Sequence, residues 1–93
     1  MAPLQIRRIA RISGRVQGVG FRWATRARAE EFGVHGTVRN LLDGTVEADA
    51  EGDATAVDAL LAWLHDGPRT AAVDAVEVSE ARPRGTQGFT ITD

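Results

Sequence analysis

The chain has 93 residues, of which 43% are hydrophobic and 26% are charged, as is ordinary for one small globular domain. It contains neither cysteine nor lysine, which excludes disulfide bridges, thiolate metal sites, Schiff-base chemistry and the lysine-dependent phosphate loop. The net charge of −2 is unevenly divided, because residues 1–40 carry eight arginines and two acids, whereas residues 41–93 carry three arginines and eleven acids. We therefore expect residues 1–93 to form a single domain whose first half attracts anionic ligands.

The first predicted strand spans residues 4–16, where apolar and polar residues alternate as they do in a half-buried strand. A helix is predicted from Phe21 to Phe32, because apolar residues recur along one of its faces. Gly33 is placed to end that helix as a glycine cap. Residues 17–20, Gln-Gly-Val-Gly, form the loop between the strand and the helix.

A hairpin is predicted next, with strands at residues 34–41 and 45–51. The Asp43-Gly44 pair marks its turn, for which we expect type I′ geometry. Asp53 is then a candidate N-cap for the second helix.

The second helix buries a stripe with the spacing i, i+3, i+4, i+7. This stripe consists of Val57, Leu60, Leu61 and Leu64. The Gly67-Pro68 pair ends the helix. A fourth strand is predicted at residues 72–80, and a short last strand contains Phe89 and Ile91.

The order β-α-β-β-α-β with a short extra C-terminal strand predicts a ferredoxin-like α+β sandwich, in which an antiparallel sheet carries both helices on one face. Right-handed crossovers make the first two strands parallel and place the third between them. The loop at 17–20, the start of the first helix and Asn40 then meet at one edge of the sheet. Asn40 has the parity of the inward-facing Val34 and Val38, so we expect it to face that helix.

The loop and the start of the first helix have the chemistry of an anion site. Gly18 and Gly20 permit positive φ and thereby present consecutive N–H groups, which continue into the unpaired N–H groups of the helix. Arg22 lies in the first helical turn, where a cation opposes the helix dipole, and its guanidinium is suited to binding phosphate oxygens. Spacing alone fits a purely structural role equally well, with glycines serving the turn and arginine the surface.

Residues 14–22, Gly-Arg-Val-Gln-Gly-Val-Gly-Phe-Arg, closely resemble the signature of the acylphosphatase family. Residues 36–41 and 43–46 resemble its second block, and the likeness extends over nearly the whole chain. The resemblance implies hydrolysis of the carboxyl–phosphate bond in small acyl phosphates without a metal or cofactor. It also implies that Arg22 binds the phosphoryl group with the loop amides and that Asn40 orients the attacking water. The phosphate-binding residues so implied are Gln17, Gly18, Val19, Gly20, Phe21 and Arg22.

The chain departs from the family pattern at a few positions. The family often has tryptophan where this chain has Thr37, and leucine where it has His35. Neither position carries the family's chemistry, so these departures affect packing and strand stability more than activity. Residues 91–93 are also less typical of the family.

The residues themselves suit such a reaction. The chain has no cysteine or tyrosine to carry a phosphoryl group, and residues 14–22 contain no histidine or acid, so what remains is positioning and electrostatic stabilisation of a charge-rich transition state. An acyl phosphate needs no strong general acid, because its leaving group is a carboxylate. Asn40 is a poor base, so it would align the water while the substrate's own oxygens take the proton.

Two other classes of function compete with the enzyme. One is a phosphate-binding module without turnover, such as a regulatory fragment or a remnant of a larger carbamoyl-transfer protein with a similar N-terminal domain. Asn40 favours the enzyme, since only hydrolysis needs an amide that orients water. The other is an RNA-binding module, which would stack bases on aromatic residues that this sheet face lacks.

Arginines on that open sheet face are expected to form cross-strand ion pairs with Glu47 and Asp49. These arginines are Arg7, Arg11, Arg15 and Arg39. We therefore expect no nucleic-acid partner. Inorganic phosphate and sulfate are expected to compete with the acyl phosphate substrate, and the protein is expected to be a monomer.

The histidines and tryptophans are predicted to be structural. His35 is expected on the open sheet face, and His65 beside the last carbonyls of the second helix, with no metal-ligand spacing between them. Trp23 and Trp63 are expected to pack in the core or at its rim, and the alternative for Trp23 is a place at the mouth of the site.

Apolar runs are short throughout the sequence, and none approaches the length that crosses a membrane. The arginines near the N-terminus are not followed by the apolar stretch that a signal peptide requires. We therefore expect a cytoplasmic protein that does not bind membranes.

Overall fold

A computed structural model describes residues 4–93. The elements are β1 (Gln5–Arg15), α1 (Phe21–Phe32), β2 (His35–Asn40), β3 (Val46–Asp53), α2 (Ala54–Leu64), β4 (Ala72–Ala81) and β5 (Phe89–Thr92). Their order confirms the predicted ferredoxin-like α+β arrangement with a short additional strand at the C-terminus.

The five strands form one sheet in the order β4-β1-β3-β2-β5. β3 lies between β1 and β2, as predicted, and pairs antiparallel with both. The short extra strand β5, for which the sequence predicted no direction, runs parallel to β2 and makes the sheet mixed at that edge. The carboxyl ends of β2 and β5 therefore lie at the same edge of the sheet, which is the edge where β1 also ends.

Both helices pack on one face of this sheet and on each other. α1 contacts β2 and β5, while α2 contacts β1 and β3. The fully buried side chains between the layers include Ile12, Val38, Val46, Val57, Leu60 and Leu64. Alanines at positions 10, 48 and 50 are also buried, and their small size lets the helices lie close to the central strands.

The turn between β2 and β3 is not the predicted type I′ turn. Type I′ requires positive φ at both central residues, but among the described residues only glycines have positive φ. Leu42, Asp43 and Gly44 form a three-residue loop, in which the Gly44 N–H donates to the Leu41 carbonyl at 3.2 Å. The Leu41 N–H donates to the Thr45 carbonyl at 2.8 Å and closes the hairpin.

Asp43 stabilises this turn through its own carboxylate. Its Oδ1 accepts hydrogen bonds from the Thr45 hydroxyl at 2.6 Å and from the Thr45 N–H at 3.0 Å. These bonds, together with a contact from the Arg11 guanidinium, lower the pKa of Asp43 from 3.8 to about 2. The turn is therefore built for an ionised Asp43.

Asp53 occupies the N-cap position of α2 as predicted, but its side chain makes no capping hydrogen bond. Its carboxylate accepts instead from the Gln5 side-chain amide, while the Ala54 N–H donates to the Leu4 carbonyl at 3.0 Å. Leu4, with which the predicted first strand began, precedes β1 and is 71% exposed. Gly33 caps α1 as predicted.

The open face of the sheet carries the predicted ion pairs for two of its arginines. Arg7 donates twice to the Asp49 carboxylate, at 2.9 and 2.7 Å. Arg39 donates to Glu47 at 3.0 Å. Two of the four arginines on this face are therefore neutralised by acids of β3.

Arg11 and Arg15 depart from that prediction. Arg11 contacts Asp43 in the β2–β3 turn, and Arg15 donates to the Thr70 carbonyl in the α2–β4 loop at 3.4 Å. Both therefore tie the last part of β1 to the loops on either side of its carboxyl end.

Candidate active site

The loop between β1 and α1 begins where β1 ends and turns through two glycines. Gly18 has φ 72° and Gly20 has φ 79°, in the left-handed region that other residues seldom adopt. A Cβ at either position would meet no atom within 4 Å, so glycine is required by the conformation and not by lack of space. Gly20 is the N-cap of α1, and its carbonyl accepts the first helical bond from Ala24 at 3.1 Å.

This loop presents a row of unpartnered N–H groups. Within residues 4–93, the N–H groups of residues 18–22 donate to no other group of the protein. The first of them belong to the glycine turn and the last to the positive end of the α1 dipole. Such a series of donors binds a negatively charged group with several oxygens.

Gln17 fixes the loop to the β2–β3 hairpin. Its Nε2 donates to the Leu41 carbonyl at 2.8 Å and to the Thr45 carbonyl at 2.9 Å. Both protons of the side-chain amide are thus engaged, which leaves only the main chain of Gln17 for a phosphate. Since Leu41 follows Asn40, this contact brings the loop and the end of β2 together, as the topology predicted.

The buried side chain of Phe21 anchors the same loop to the hydrophobic core. This side chain is 2% exposed and its ring lies 5.9 Å from that of Trp63, centroid to centroid. Gly67 packs so closely on this ring that a Cβ at Gly67 would lie 2.6 Å from it. The side chain of Phe21 thus belongs to the core, and only its N–H faces the site.

Arg22 is the cation at the site. It lies half-buried in the first turn of α1, and within residues 4–93 its guanidinium forms no ion pair or hydrogen bond. The next arginines of α1 are paired, Arg26 with Glu30 at 3.2 Å and Arg28 with Glu31 at 2.9 Å. The positive charge of Arg22 is therefore available to an anion beside the N–H groups.

Asn40 is the last residue of β2 and is paired across the sheet with Val46. It lies two residues after the buried Val38 and so on the helix-facing side, as predicted. Its Oδ1 is buried and accepts no hydrogen bond from the described residues. A buried acceptor without a donor costs about 1–3 kcal/mol, so a donor brought by a ligand or water is favoured there.

The α2–β4 loop contributes a contact that the sequence analysis missed. The Thr70 hydroxyl donates to the Val19 carbonyl at 2.5 Å. A threonine after Gly67-Pro68 gives no sequence signal for this role, because the two residues are 51 positions apart. The loop at 17–20 is thus held from both sides, by the hairpin and by the α2–β4 loop.

The two tryptophans differ from each other in burial. Trp63 packs on Phe21 in the core, as predicted. The prediction for Trp23 is wrong, because its side chain is 65% exposed, with the Arg26 guanidinium 5.9 Å from the ring centroid. Its position in α1 explains this exposure, since it lies on the face opposite the buried Phe21 and Thr25.

Both histidines bond to main-chain groups. His65 Nδ1 lies 2.9 Å from the Leu61 carbonyl near the end of α2, and His35 Nδ1 accepts from the Gly88 N–H at 2.8 Å. In the part of the chain that the structure describes, no three histidine, aspartate or glutamate side chains come together as metal ligands would. Neither described helix has the length and apolar character needed to cross a lipid bilayer.

The site therefore combines oriented N–H donors, one unpaired guanidinium and one buried amide oxygen. The donors and the guanidinium fit the oxygens of a phosphoryl group, and the amide lies at the end of β2, the strand that α1 contacts, where it can bind a water molecule.

Comparison with known proteins identifies the family to which this site belongs. The sequence model of the acylphosphatase family matches residues 8–91. The acylphosphatase of Thermococcus kodakarensis is 54% identical over 87 residues, covering 94% of this chain and 96% of that protein. The acylphosphatase of Rubrobacter xylanophilus is 57% identical over 81 residues, covering 86% of this chain and 74% of that protein.

Solved structures agree with the sequence comparison. The acylphosphatase structure from Coxiella burnetii superposes with a TM-score of 0.91 at 36% identity, covering 95% of this chain and 93% of that one. The family match, the close relatives and this structural likeness all lead to the same conclusion. The chain belongs to the acylphosphatase family and is a hydrolase of the acid-anhydride bond in small acyl phosphates.

Proposed function

We propose that the N–H groups of residues 18–22 and the Arg22 guanidinium hold the phosphoryl group of the acyl phosphate, while Asn40 orients the attacking water. The observation that carries this assignment is the unpaired, half-buried Arg22 beside a row of unpartnered N–H groups. A guanidinium with two parallel donors binds two phosphate oxygens at once, and the N–H groups take the remaining oxygen sites.

The reaction that follows balances without a further reactant. Water attacks the phosphorus opposite the acyl oxygen, the phosphorus–oxygen bond breaks, and its electron pair leaves with the carboxylate. The water's proton passes to a phosphate oxygen, so an acyl phosphate dianion and water give a carboxylate and dihydrogen phosphate. The transition state is loose, with charge spread over the three equatorial oxygens, and the N–H groups and Arg22 are placed to stabilise that charge.

Asn40 has a separate task in this scheme. Its buried Oδ1 accepts a hydrogen bond from the water, which turns a lone pair of the water toward the phosphorus. An amide oxygen is too weak a base to remove the proton. A module that merely bound phosphate would have no use for this acceptor, so Asn40 supports turnover.

The other phosphate-loop residues act through the main chain. The side chains of Gln17 and Phe21 are engaged within the protein, and those of Gly18, Val19 and Gly20 carry no polar group. We assign their contribution to backbone N–H donors and to the shape of the loop. Inorganic phosphate and sulfate have the same tetrahedral oxygens and are therefore expected to compete with the substrate.

Residues 1–93 would act in this scheme as one catalytic domain and as a monomer. The open sheet face supports this, since Arg7 and Arg39 on it pair with acids of the same chain and not with a second copy. The same pairing speaks against nucleic-acid binding. A cytoplasmic location fits a multiply charged substrate, which does not cross a bilayer unaided.

The assignment is tested by phosphate release from acetyl and benzoyl phosphate, with a chelator present, in the wild type and in Arg22→Ala. We expect Arg22→Ala to lose at least about 10²-fold in kcat/KM, because it removes the cation that stabilises transition-state charge. Phosphate at millimolar concentration should raise the Tm of the wild type but not of Arg22→Ala. Arg28→Ala is the matched control, since it removes a paired arginine from the same helix.

A folded Arg22→Ala protein that kept wild-type kcat/KM and the Tm rise would show that the phosphoryl group is held elsewhere. Loss of activity in Arg28→Ala as well would assign the effect to the general charge of α1.

A further inference from the structure

A hydrogen bond joins the α2–β4 loop to the loop at residues 17–20. The Thr70 hydroxyl donates to the Val19 carbonyl at 2.5 Å, a short distance for a neutral hydroxyl–carbonyl pair. Thr70 lies far from Val19 in sequence, and its side chain contacts neither Arg22 nor Asn40 through a hydrogen bond. The contact is therefore made to the main chain of the loop alone.

The turn that carries Thr70 is itself fixed. The Ala71 N–H donates to the Pro68 carbonyl at 3.0 Å, so Thr70 occupies the third position of a closed four-residue turn. Just before this turn, Gly67 packs directly on the ring of Phe21, the first residue of α1. The hydroxyl of Thr70 is thus held in place relative to the start of the helix.

A bond to the Val19 carbonyl has a defined effect on the next N–H group. The peptide unit between Val19 and Gly20 is planar and trans, so its carbonyl and its N–H point in opposite directions. When Thr70 holds the carbonyl toward the α2–β4 loop, the Gly20 N–H must point away from that loop. Glycine at position 20 has a wide range of φ and would otherwise let this peptide unit rotate.

We propose that Thr70 is a positioning residue for acyl phosphate hydrolysis, which directs the Gly20 N–H toward the phosphoryl group by holding the Val19 carbonyl. The proposal rests on the phosphate site assigned above. It adds a third element to that site, since the Gln17 amide holds the same loop to the β2–β3 hairpin from the other side. The loop would then be shaped before substrate arrives, and it would lose little order on binding.

The test compares Thr70→Val, which keeps the branched shape without the donor, with Thr70→Ser, which keeps the donor. Thr70→Val should lower kcat/KM and raise the inhibition constant of inorganic phosphate, each about three- to tenfold, as expected for one neutral hydrogen bond. Thr70→Ser should restore most of both. In ¹⁵N-labelled protein, the Gly20 amide resonance should move in Thr70→Val and respond less to added phosphate.

Ser79→Ala is the matched control, because its hydroxyl also donates to a main-chain carbonyl, that of Ile9, at a place remote from the loop. Ser79→Ala should leave both kinetic constants and the Gly20 resonance unchanged. Phosphate inhibition and a Gly20 resonance in Thr70→Val that match the wild type, while Arg22→Ala loses phosphate binding, would overturn the role of Thr70 and leave the phosphate site standing. A Thr70→Ser variant as impaired as Thr70→Val would also overturn it, since the hydroxyl would then not be the cause.

Discussion

At the scale of single residues, Arg22 is placed against local preference. A cation in the first turn of a helix opposes the dipole and costs a few tenths of a kcal/mol or more. Elsewhere in the described part of α1, Arg26 and Arg28 are offset by acids one turn later, whereas Arg22 has no such partner. In the proposed mechanism, a bound phosphoryl group supplies a negative charge beside Arg22. The electrostatic interaction at the start of α1 then becomes favourable.

Arg22→Lys separates a positive charge from a forked donor. Lysine keeps the charge but offers a single ammonium group in place of two parallel N–H donors. We expect Arg22→Lys to lose about 10²-fold or more in kcat/KM and so to resemble Arg22→Ala. Steady-state kinetics with acetyl phosphate measure this. A lysine variant that kept most of the wild-type kcat/KM would show that charge alone is enough.

At the scale of elements, the site depends on contacts between segments distant in sequence. The Gln17 amide reaches Leu41, 24 residues later, and the Thr70 hydroxyl reaches Val19, 51 residues earlier. Together they fix the glycine loop between the hairpin and the α2–β4 loop. A loop with two left-handed glycines would otherwise have too much conformational freedom to preorganise its donors.

The elements themselves were predictable because their signals are local. Alternation along β1, the stripe on α2 and the glycine after α1 each lie within one segment, and strand parity alone placed Asn40 on the helix side. The direction of β5 was not predictable, since its four residues carry no mark of pairing parallel to β2. Side-chain bonds such as that of Thr70 depend on the final packing and have no periodic signal.

The turn after Asn40 is a second feature whose geometry could not be predicted from the sequence. Asp-Gly is compatible with both a two-residue type I′ loop and a three-residue loop that ends in a left-handed glycine. The choice here is made by Asp43, whose carboxylate binds the Thr45 hydroxyl and N–H. The same turn presents the Leu41 and Thr45 carbonyls to Gln17, so its shape bears on the site.

Asp43 should therefore make the stability of the protein depend on pH. Its pKa is about 2 in the folded state against a usual 3.8, so the unfolded chain binds more protons between these values. The stabilisation is present above about pH 4 and is lost as the pH falls toward 2. We expect the Tm difference between the wild type and Asp43→Asn to be larger at pH 5 than at pH 2, as measured by thermal melting.

Asp58→Asn is the control for this measurement, because Asp58 is an exposed acid on α2. Its Tm difference from the wild type should vary less over the same pH range. An Asp43→Asn difference that stayed constant from pH 5 to pH 2 would contradict the stabilising role of the Asp43 charge.

At the scale of the whole molecule, the fold pairs most of the described arginines with acids and leaves Arg22 among the few without an ion pair. The arginine-rich strands β1 and β2 flank β3, which carries acids, and Arg7 and Arg39 are neutralised there. This pairing offsets the positive charge of β1 and β2 on the sheet face away from the helices. Arg22 lies outside it, at the edge where β1, β2 and α1 meet.

The same fold supplies the two parts of the reaction from different elements. In the proposed mechanism, the phosphate donors belong to the loop after β1 and to α1, whereas the water-orienting amide belongs to the end of β2. Phosphate binding and water activation should therefore be separable by mutation. This separation is the central claim of the mechanism.

Asn40→Ala tests that claim most directly, with kcat for acetyl phosphate and the inhibition constant of inorganic phosphate measured on one preparation. We expect kcat to fall by about 10²- to 10³-fold, because the lost interaction is used mainly in the transition state. The phosphate inhibition constant and the Tm should stay close to those of the wild type. A folded Asn40→Ala protein that hydrolysed acetyl phosphate at a near wild-type rate would contradict the mechanism, since another group would then have to orient the water.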